Sequence, residues 1–176
     1  ELAWFGRERG RQTAMFACLF LPRPVKSPSS LIRGEGSRLR LSEESGGQAM
    51  ASLVQLARDF SPRVETHGDR TVTLDISGLG SLIGDPRSIG EELRRTAADA
   101  GLRVHIAVAA TSTAAILLAH ARAGLTVVPA GAEAATLAPL PLRLLLEAAQ
   151  SLEPKAQSPE PDQLQRWGLR TLGDLA

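Results

Sequence analysis

With 176 residues, 43% of them hydrophobic, the chain is long enough to bury one core, or one domain and part of another, and too apolar for a disordered tail. Its 20 basic and 19 acidic residues nearly cancel, so net charge exerts no general pull towards nucleic acid and any DNA contact must come from local features. The one cysteine, Cys18, excludes an intramolecular disulfide framework and a Cys-rich zinc site; set in an apolar run, it is expected to be a buried, inert thiol.

Residues 1–14, rich in Arg and Gly, precede the first apolar run and read as a flexible extension that folding does not need. Phe16 to Leu21 is a short apolar run stopped by Pro22 and Pro24, which predicts a buried strand. The run beginning at Met15 lacks the small-residue cleavage site of a signal peptide. No apolar stretch approaches the roughly 20 residues that span a bilayer. A cytoplasmic protein with no membrane partner is expected.

Lys26 to Gly47 mixes Ser, Gly and charge without a clean period and predicts a long loop. Ala49 to Asp59 then places Leu53, Leu56, Ala57 and Phe60 at helical spacing, between Gly46-Gly47 and the stop at Ser61-Pro62. Val64 opens an extended segment, and His67-Gly68-Asp69 supplies hairpin turn chemistry. From Thr71 to Ile76, Val72, Leu74 and Ile76 alternate with Thr71, Thr73 and Asp75, which predicts a half-buried strand.

Asp85-Pro86 reads as an N-cap followed by proline at the first helical position, and Ile89, Leu93, Thr96, Ala97 and Ala100 continue at helical spacing to Gly101. Val104, Ile106 and Val108 alternate with Arg103, His105 and Ala107 as a further strand. Thr111 or Ser112 can cap an Ala/Leu-rich helix to Ala123, with Gly124 as its stop, and Leu125 to Val128 makes a short strand. Leu144 to Gln150 suggests a helix and Ser151 to Pro161 a linker. Asp162 caps Gln163 to Trp167, Gly168 stops it, and Thr171 can cap a new helix at Leu172.

The order β, α, β, β, α, β predicts an α+β fold of the ferredoxin-like split βαβ type, an antiparallel sheet with helices on one face. An extra α/β extension follows it, and a partial C-terminal helix-hairpin-helix closes the chain. The expected organisation is an extension at 1–14, the main domain at 15–142, a helix and linker at 143–161 and the hairpin start at 162–176.

Phe60-Ser61-Pro62-Arg63-Val64-Glu65, then Leu74-Asp75-Ile76-Ser77-Gly78, resembles the palm of Y-family translesion DNA polymerases, which reads F/Y-S-P-x-V-E and S-I-D-E-A-F-L-D-V-T-G. Asp69 to Gly84 is similar to P-D-x-L-L-L-D-V-T-G-C-x-x-L-F-G-G of the ImuB-type branch, polymerase-like members of bacterial mutagenesis complexes that have lost their metal carboxylates. Val128-Pro129-Ala130-Gly131, Glu133-Ala134 and Leu137 to Leu142 resemble that branch's V-P-x-G-x-E-A-x-x-L-x-x-L-P-L. Leu164 to Ala176 resembles its L-x-x-L-G-L-R-T-L-G-D-L-A thumb motif. The resemblance runs from Met15 to Ala176.

The resemblance implies that Arg70 and Thr71 stand where active members hold an Asp-Glu metal pair, and that Leu21, with Pro22 and Arg23, stands where they hold the strand-one Asp. Two-metal phosphoryl transfer needs clustered carboxylates to hold magnesium, so no cofactor is expected, magnesium entering only if the chain is an active polymerase by other carboxylates. Pro22 to Gly47 is also short for the family's fingers subdomain.

Among single residues, Asp75 reads as a turn carboxylate bonding local amides, and Glu65 as a similar strand-end residue. His67, His105 and His120 show no ligand spacing. Glu91, Glu92, Arg94 and Arg95 predict solvated helix pairs, and Gly78 to Gly84 lacks the Lys-Ser/Thr ending of a phosphate loop. The candidate DNA-binding residues are Arg166, Gly168, Leu169, Arg170 and Thr171, whose turn can offer backbone N–H groups to a phosphate, or serve only to pack two helices.

The function expected from the resemblance is an inactive polymerase-like accessory protein in DNA repair and translesion synthesis, a part of SOS mutagenesis. Its implied partners are DNA, primed or damaged, a replicative-type polymerase and the sliding clamp, although no clamp-binding peptide occurs in the chain. Two alternatives stand beside it: an active error-prone DNA polymerase, and a ferredoxin-like interaction module unrelated to DNA.

Overall fold

Phe16–Phe20 forms β1, which ends just before Pro22 and lies between two antiparallel neighbours, β3 (Thr71–Asp75) and β4 (His105–Ala109). The computed structural model describes residues 14–22, 35–145, 148, 166 and 168–175, and only the backbone at 35–45. β2 (Val64–His67) pairs antiparallel with β3, and β5 (Leu125–Val127) pairs parallel with β4, which gives the five-stranded order β2-β3-β1-β4-β5. The β2–β3 hairpin turns at Gly68, whose φ of 61° is a conformation that favours glycine.

Side-chain alternation divides the core between the faces of this sheet. Ala17, Leu19, Val72, Leu74, Ile106 and Val108 meet Leu53, Leu56 and Ala57 of α1 (Glu35–Phe60) and Ile89, Leu93 and Ala97 of α2 (Pro86–Asp99). Cys18, Ala107 and Ala109 point the other way, into α3 (Ser112–Ala121), which buries every residue from Ala114 to Ala119. Fully buried side chains such as Leu53, Leu93 and Ile106 each stabilise the fold by about 1.5–3 kcal/mol.

Local signals set most boundaries. The Asp85 carboxylate accepts the Ser88 N–H at 2.7 Å and Pro86 begins α2, as the Asp-Pro pair predicts. Thr111 caps α3 through the Ala114 N–H at 3.2 Å. A short helix α4 (Glu133–Leu137) follows β5, and its Glu133 carboxylate accepts the N–H groups of Ala110 at 3.1 Å and Gly131 at 2.7 Å. That one side chain ties the loop after β4 to the loop after β5.

Three expectations need correction. The loop assigned to 26–47 is helical from Glu35, and α1 runs through Gly46-Gly47 to Phe60 over 26 residues. Strong helix formers at Arg38, Leu39, Arg40 and Leu41 and a packed C-terminal half sustain a helix that two glycines weaken but do not break. β3 is buried rather than half-buried, with Thr71 1% and Thr73 3% exposed. The reason is α3: the helices expected on one face are α1 and α2, while α3 closes the opposite face.

The third correction concerns the C-terminus, where Leu172–Leu175 is a 3-10 turn and not the start of an α-helix. An antiparallel bridge between Pro141 and Thr171 pins this segment, with Leu142 N–H to the Arg170 carbonyl and Leu172 N–H to the Leu140 carbonyl, each at 2.9 Å. Residues 143–145 and Ala148 are helical, where a helix is expected from 144 to 150. The extension before Ala14, the linker at 151–161 and the Asp162 cap lie outside the described residues.

A Cβ added at Gly46 or Gly47 meets no atom within 4 Å. Replacing both by Ala is therefore expected to raise unfolding free energy by about 1–2 kcal/mol in total, read from urea denaturation. A loop at these positions would give no such gain.

Candidate nucleic-acid interface

The end of the β1–β3 pair brings distant residues together. Phe20 faces Thr71 in the register, and one step beyond, the Leu21 N–H donates to the Arg70 carbonyl at 2.9 Å. Leu21, Arg70 and Thr71 thus stand side by side. The Leu21 side chain offers no ligand atom, Arg70 carries a fixed cation, and the Thr71 hydroxyl shares a 3.1 Å hydrogen bond with His120 Nε2. This set does not suit a divalent cation, which takes carboxylate oxygens. Among the described residues no three His, Cys, Asp or Glu side chains are grouped so as to hold a metal.

Arg70 is the last residue of the hairpin turn and Thr71 the first of β3. On the α3 face, Thr71 belongs to a cluster that sequence spacing did not reveal. The His120 ring stacks on Phe20 with centroids 4.0 Å apart, and the His105 ring lies 5.8 Å from Phe20. His105 Nδ1 approaches the Ala119 carbonyl at 3.3 Å, and His67 Nε2 bonds Thr73 Oγ1 at 2.8 Å. Burial lowers the His120 pKa below the ordinary imidazole value, and neighbouring His105 lowers it further. Burial lowers that of His67 too, against the opposing pull of Glu65. Cys18 sits deeper on the same face, and burial pushes its thiol pKa upward, consistent with an inert group.

Asp75 holds the other end of β3. Its Oδ1 accepts the Ser77 hydroxyl at 2.6 Å and the Ser77 N–H at 2.9 Å, while Oδ2 accepts from Arg63 at 3.1 Å. The Ser77 bonds, then Arg63, hold its pKa below the usual carboxylate range. Ser77 Oγ in turn accepts the Met15 N–H at 3.0 Å, so Asp75 indirectly fixes the start of β1. This is the local-amide role its sequence position predicts. Glu65 is exposed on β2; of the helix pairs expected among Glu91, Glu92, Arg94 and Arg95, Glu92–Arg95 forms, while Glu91 pairs with Arg87 instead.

At the C-terminal turn, Arg166 is exposed and helical, Gly168 adopts a φ of 81°, Leu169 is half-buried and Arg170 is exposed. The Asp174 carboxylate accepts the N–H groups of both Arg170 and Thr171 at 2.8 Å. The Leu172 and Gly173 N–H groups donate to the carbonyls of Leu140 and Ala138. Every amide from Arg170 to Gly173 is therefore engaged inside the protein. What remains for a phosphate at these positions is the guanidinium charge of Arg166 and Arg170. The Thr171-x-x-Asp174 spacing, a capping-box pattern with Asp in the acidic place, is the signal that sequence reading missed.

No family model matches the chain. DNA polymerase IV 2 of Mesorhizobium japonicum (strain LMG 29417 / CECT 9101 / MAFF 303099) is 32% identical over 128 residues, which are 71% of this chain and 29% of that protein. A DinB family error prone DNA polymerase from Sulfolobus solfataricus matches with a TM-score of 0.59 at 11% identity, over 92% of this chain and 58% of that one. The chain is homologous to DNA polymerase IV. Its fold is that of the Y-family polymerases, as two further structures agree. A Dbh ternary complex gives a TM-score of 0.55 at 11% identity, over 90% of this chain and 58% of that one. A post-insertion binary complex of Dbh DNA polymerase gives 0.53 at 15% identity, over 76% and 38%. The homologous chain thus spans less than a third of the curated relative it matches.

Two outcomes test this geometry. Because the His120 pKa is lowered on folding, protons bind the unfolded chain more readily, so stability is full above the ordinary value of 6.5 and falls as pH drops below it. His120→Gln should therefore show a smaller loss of urea midpoint between about pH 7 and pH 5 than the parent; equal losses would place the effect elsewhere. Asp75→Ala should cost about 1–3 kcal/mol, since it removes the bonds from Ser77 and Arg63 that a charged acceptor holds. Denaturation of the variant checks it.

Proposed function

We propose that this chain is an ImuB-type, catalytically inactive polymerase-like protein that binds DNA and partner proteins during DNA repair and translesion synthesis. The observation that carries this reading is the 2.9 Å bond from the Leu21 N–H to the Arg70 carbonyl, which brings the three positions aligned with the family's metal carboxylates together without a carboxylate among them. Strand order β2-β3-β1-β4, with β1 antiparallel to both neighbours and α1 and α2 on one face, supports a ferredoxin-like palm. Magnesium is then not a cofactor of this chain, since Leu21, Arg70 and Thr71 supply no anionic ligand for it.

DNA contact in this reading rests on Arg166 and Arg170, exposed at the C-terminal turn, with Gly168, Leu169 and Thr171 shaping the loop that carries them. The resemblance supports a replicative-type polymerase and the sliding clamp as partners, which in this reading would supply synthesis and tethering. Soluble action in the cytoplasm is part of the same proposal; among the described residues no helix is long and apolar enough to cross a membrane.

Primer extension with magnesium, run beside DNA binding at several salt concentrations, tests the proposal. The expected result is no extension, with binding that weakens steeply as salt rises because phosphate contacts release counterions. Magnesium-dependent extension would establish the active error-prone polymerase instead. Absence of binding at every salt concentration would favour an interaction module unrelated to DNA.

A further inference from the structure

We infer that Arg70 is a metal-independent phosphate contact. Its Nε is buried and, among the described residues, makes no hydrogen bond, while the side chain as a whole keeps 28% of its surface exposed. Asp69 is the acid beside it, but the Asp69 carboxylate is 3.5 Å away and 83% exposed, a geometry that satisfies little of the guanidinium. A sealed N–H on a permanent cation calls for an acceptor, because buried polar groups seldom go without one. The side chain of the neighbouring Leu21 offers none, and the Thr71 hydroxyl is engaged with His120.

The ligand chemistry follows from the group. A guanidinium presents N–H donors in a planar fork that matches the oxygens of a phosphate, and it cannot be deprotonated near neutral pH. A phosphate carried by a nucleic-acid backbone or by a nucleotide would meet the solvent-facing part of this guanidinium without a bridging cation. Where active relatives are expected to place anions that recruit magnesium, this chain places the cation itself. The inference deepens the DNA-binding reading and rests on it for polymer phosphate; free phosphate chains are a separate arm.

The test uses the full 176-residue chain in EDTA. Fluorescence anisotropy measures binding to a labelled primed duplex over a salt series, calorimetry measures binding of sodium tripolyphosphate, and circular dichroism checks that each variant is folded. R70Q is expected to weaken binding roughly tenfold and to lower the slope of log affinity against log salt by about 0.9, the share of one phosphate contact. R70K, which keeps the charge and loses the fork, should fall between parent and R70Q.

Loss on the duplex alone assigns the contact to the nucleic-acid backbone, and loss on tripolyphosphate alone assigns it to a nucleotide. If the parent binds tripolyphosphate through Arg70 but binds no DNA, the contact stands and the DNA-binding reading fails. Equal binding by folded R70Q and parent, or parent binding that requires magnesium, overturns the inference. Should the variants not fold, phenylglyoxal labelling of the parent with mass mapping replaces them: protection of Arg70 by duplex or tripolyphosphate supports the contact, and unprotected Arg70 overturns it.

Discussion

A five-residue strand paired along both edges sets the geometry of everything around it. Phe16–Phe20 bonds β3 on one edge and β4 on the other and is covered on both faces, so it has no side on which an error is tolerated. Its register is fixed by size as well as by polarity. Leu19 and Ala17 enter a layer of Leu, Ile and Val from α1, α2 and the neighbouring strands, whereas Cys18 meets the alanine-rich surface of α3. A slip of one residue would exchange these sets, crowding Leu19 against α3 and leaving Cys18 too small for the opposite layer.

That register also decides what meets at the strand end, whatever the residues there happen to be. Leu21 reaches Arg70 because Leu19 faces Val72 and Ala17 faces Leu74, all of them core positions. Neither Leu21 nor Arg70 is among the fully buried residues of that core. The scaffold can therefore keep its geometry whatever stands at its edge, here a cation, an alkyl group and an engaged hydroxyl. A likeness in fold cannot by itself carry an activity across.

What was legible in the sequence follows the range of the interactions involved. Asp85-Pro86, Thr111 and Gly68 each act within a few residues, and the elements they bound lie where the pattern puts them, whereas α3 ends at Ala121, short of the stop expected at Gly124. The first half of α1 was not legible, because Gly46-Gly47 read locally as a stop, while a helix already nucleated by the packing of Leu53, Leu56 and Ala57 tolerates them. Burial of Thr71 and Thr73 was hidden for a different reason. The helix that covers them begins at Ser112, about forty residues later, and its apolar surface has no period to betray which face of the sheet it takes.

The same distinction reshapes the C-terminal turn. Gly168 was legible from its place after a short helical pattern, and it does adopt a left-handed backbone. The amides beyond it were read as free donors because a sequence shows donors without their acceptors. In the fold, Asp174 takes the N–H groups of Arg170 and Thr171, and the carbonyls of Leu140 and Ala138 take those of Leu172 and Gly173. A phosphate cannot displace a carboxylate that is tethered three residues away without losing bonds already made, so an amide nest is a poor explanation of binding here. Attraction at this turn is left to the long side chains of Arg166 and Arg170. Contacts of that kind follow the backbone of a nucleic acid without reading its bases, so under the proposed function they would hold DNA of any sequence.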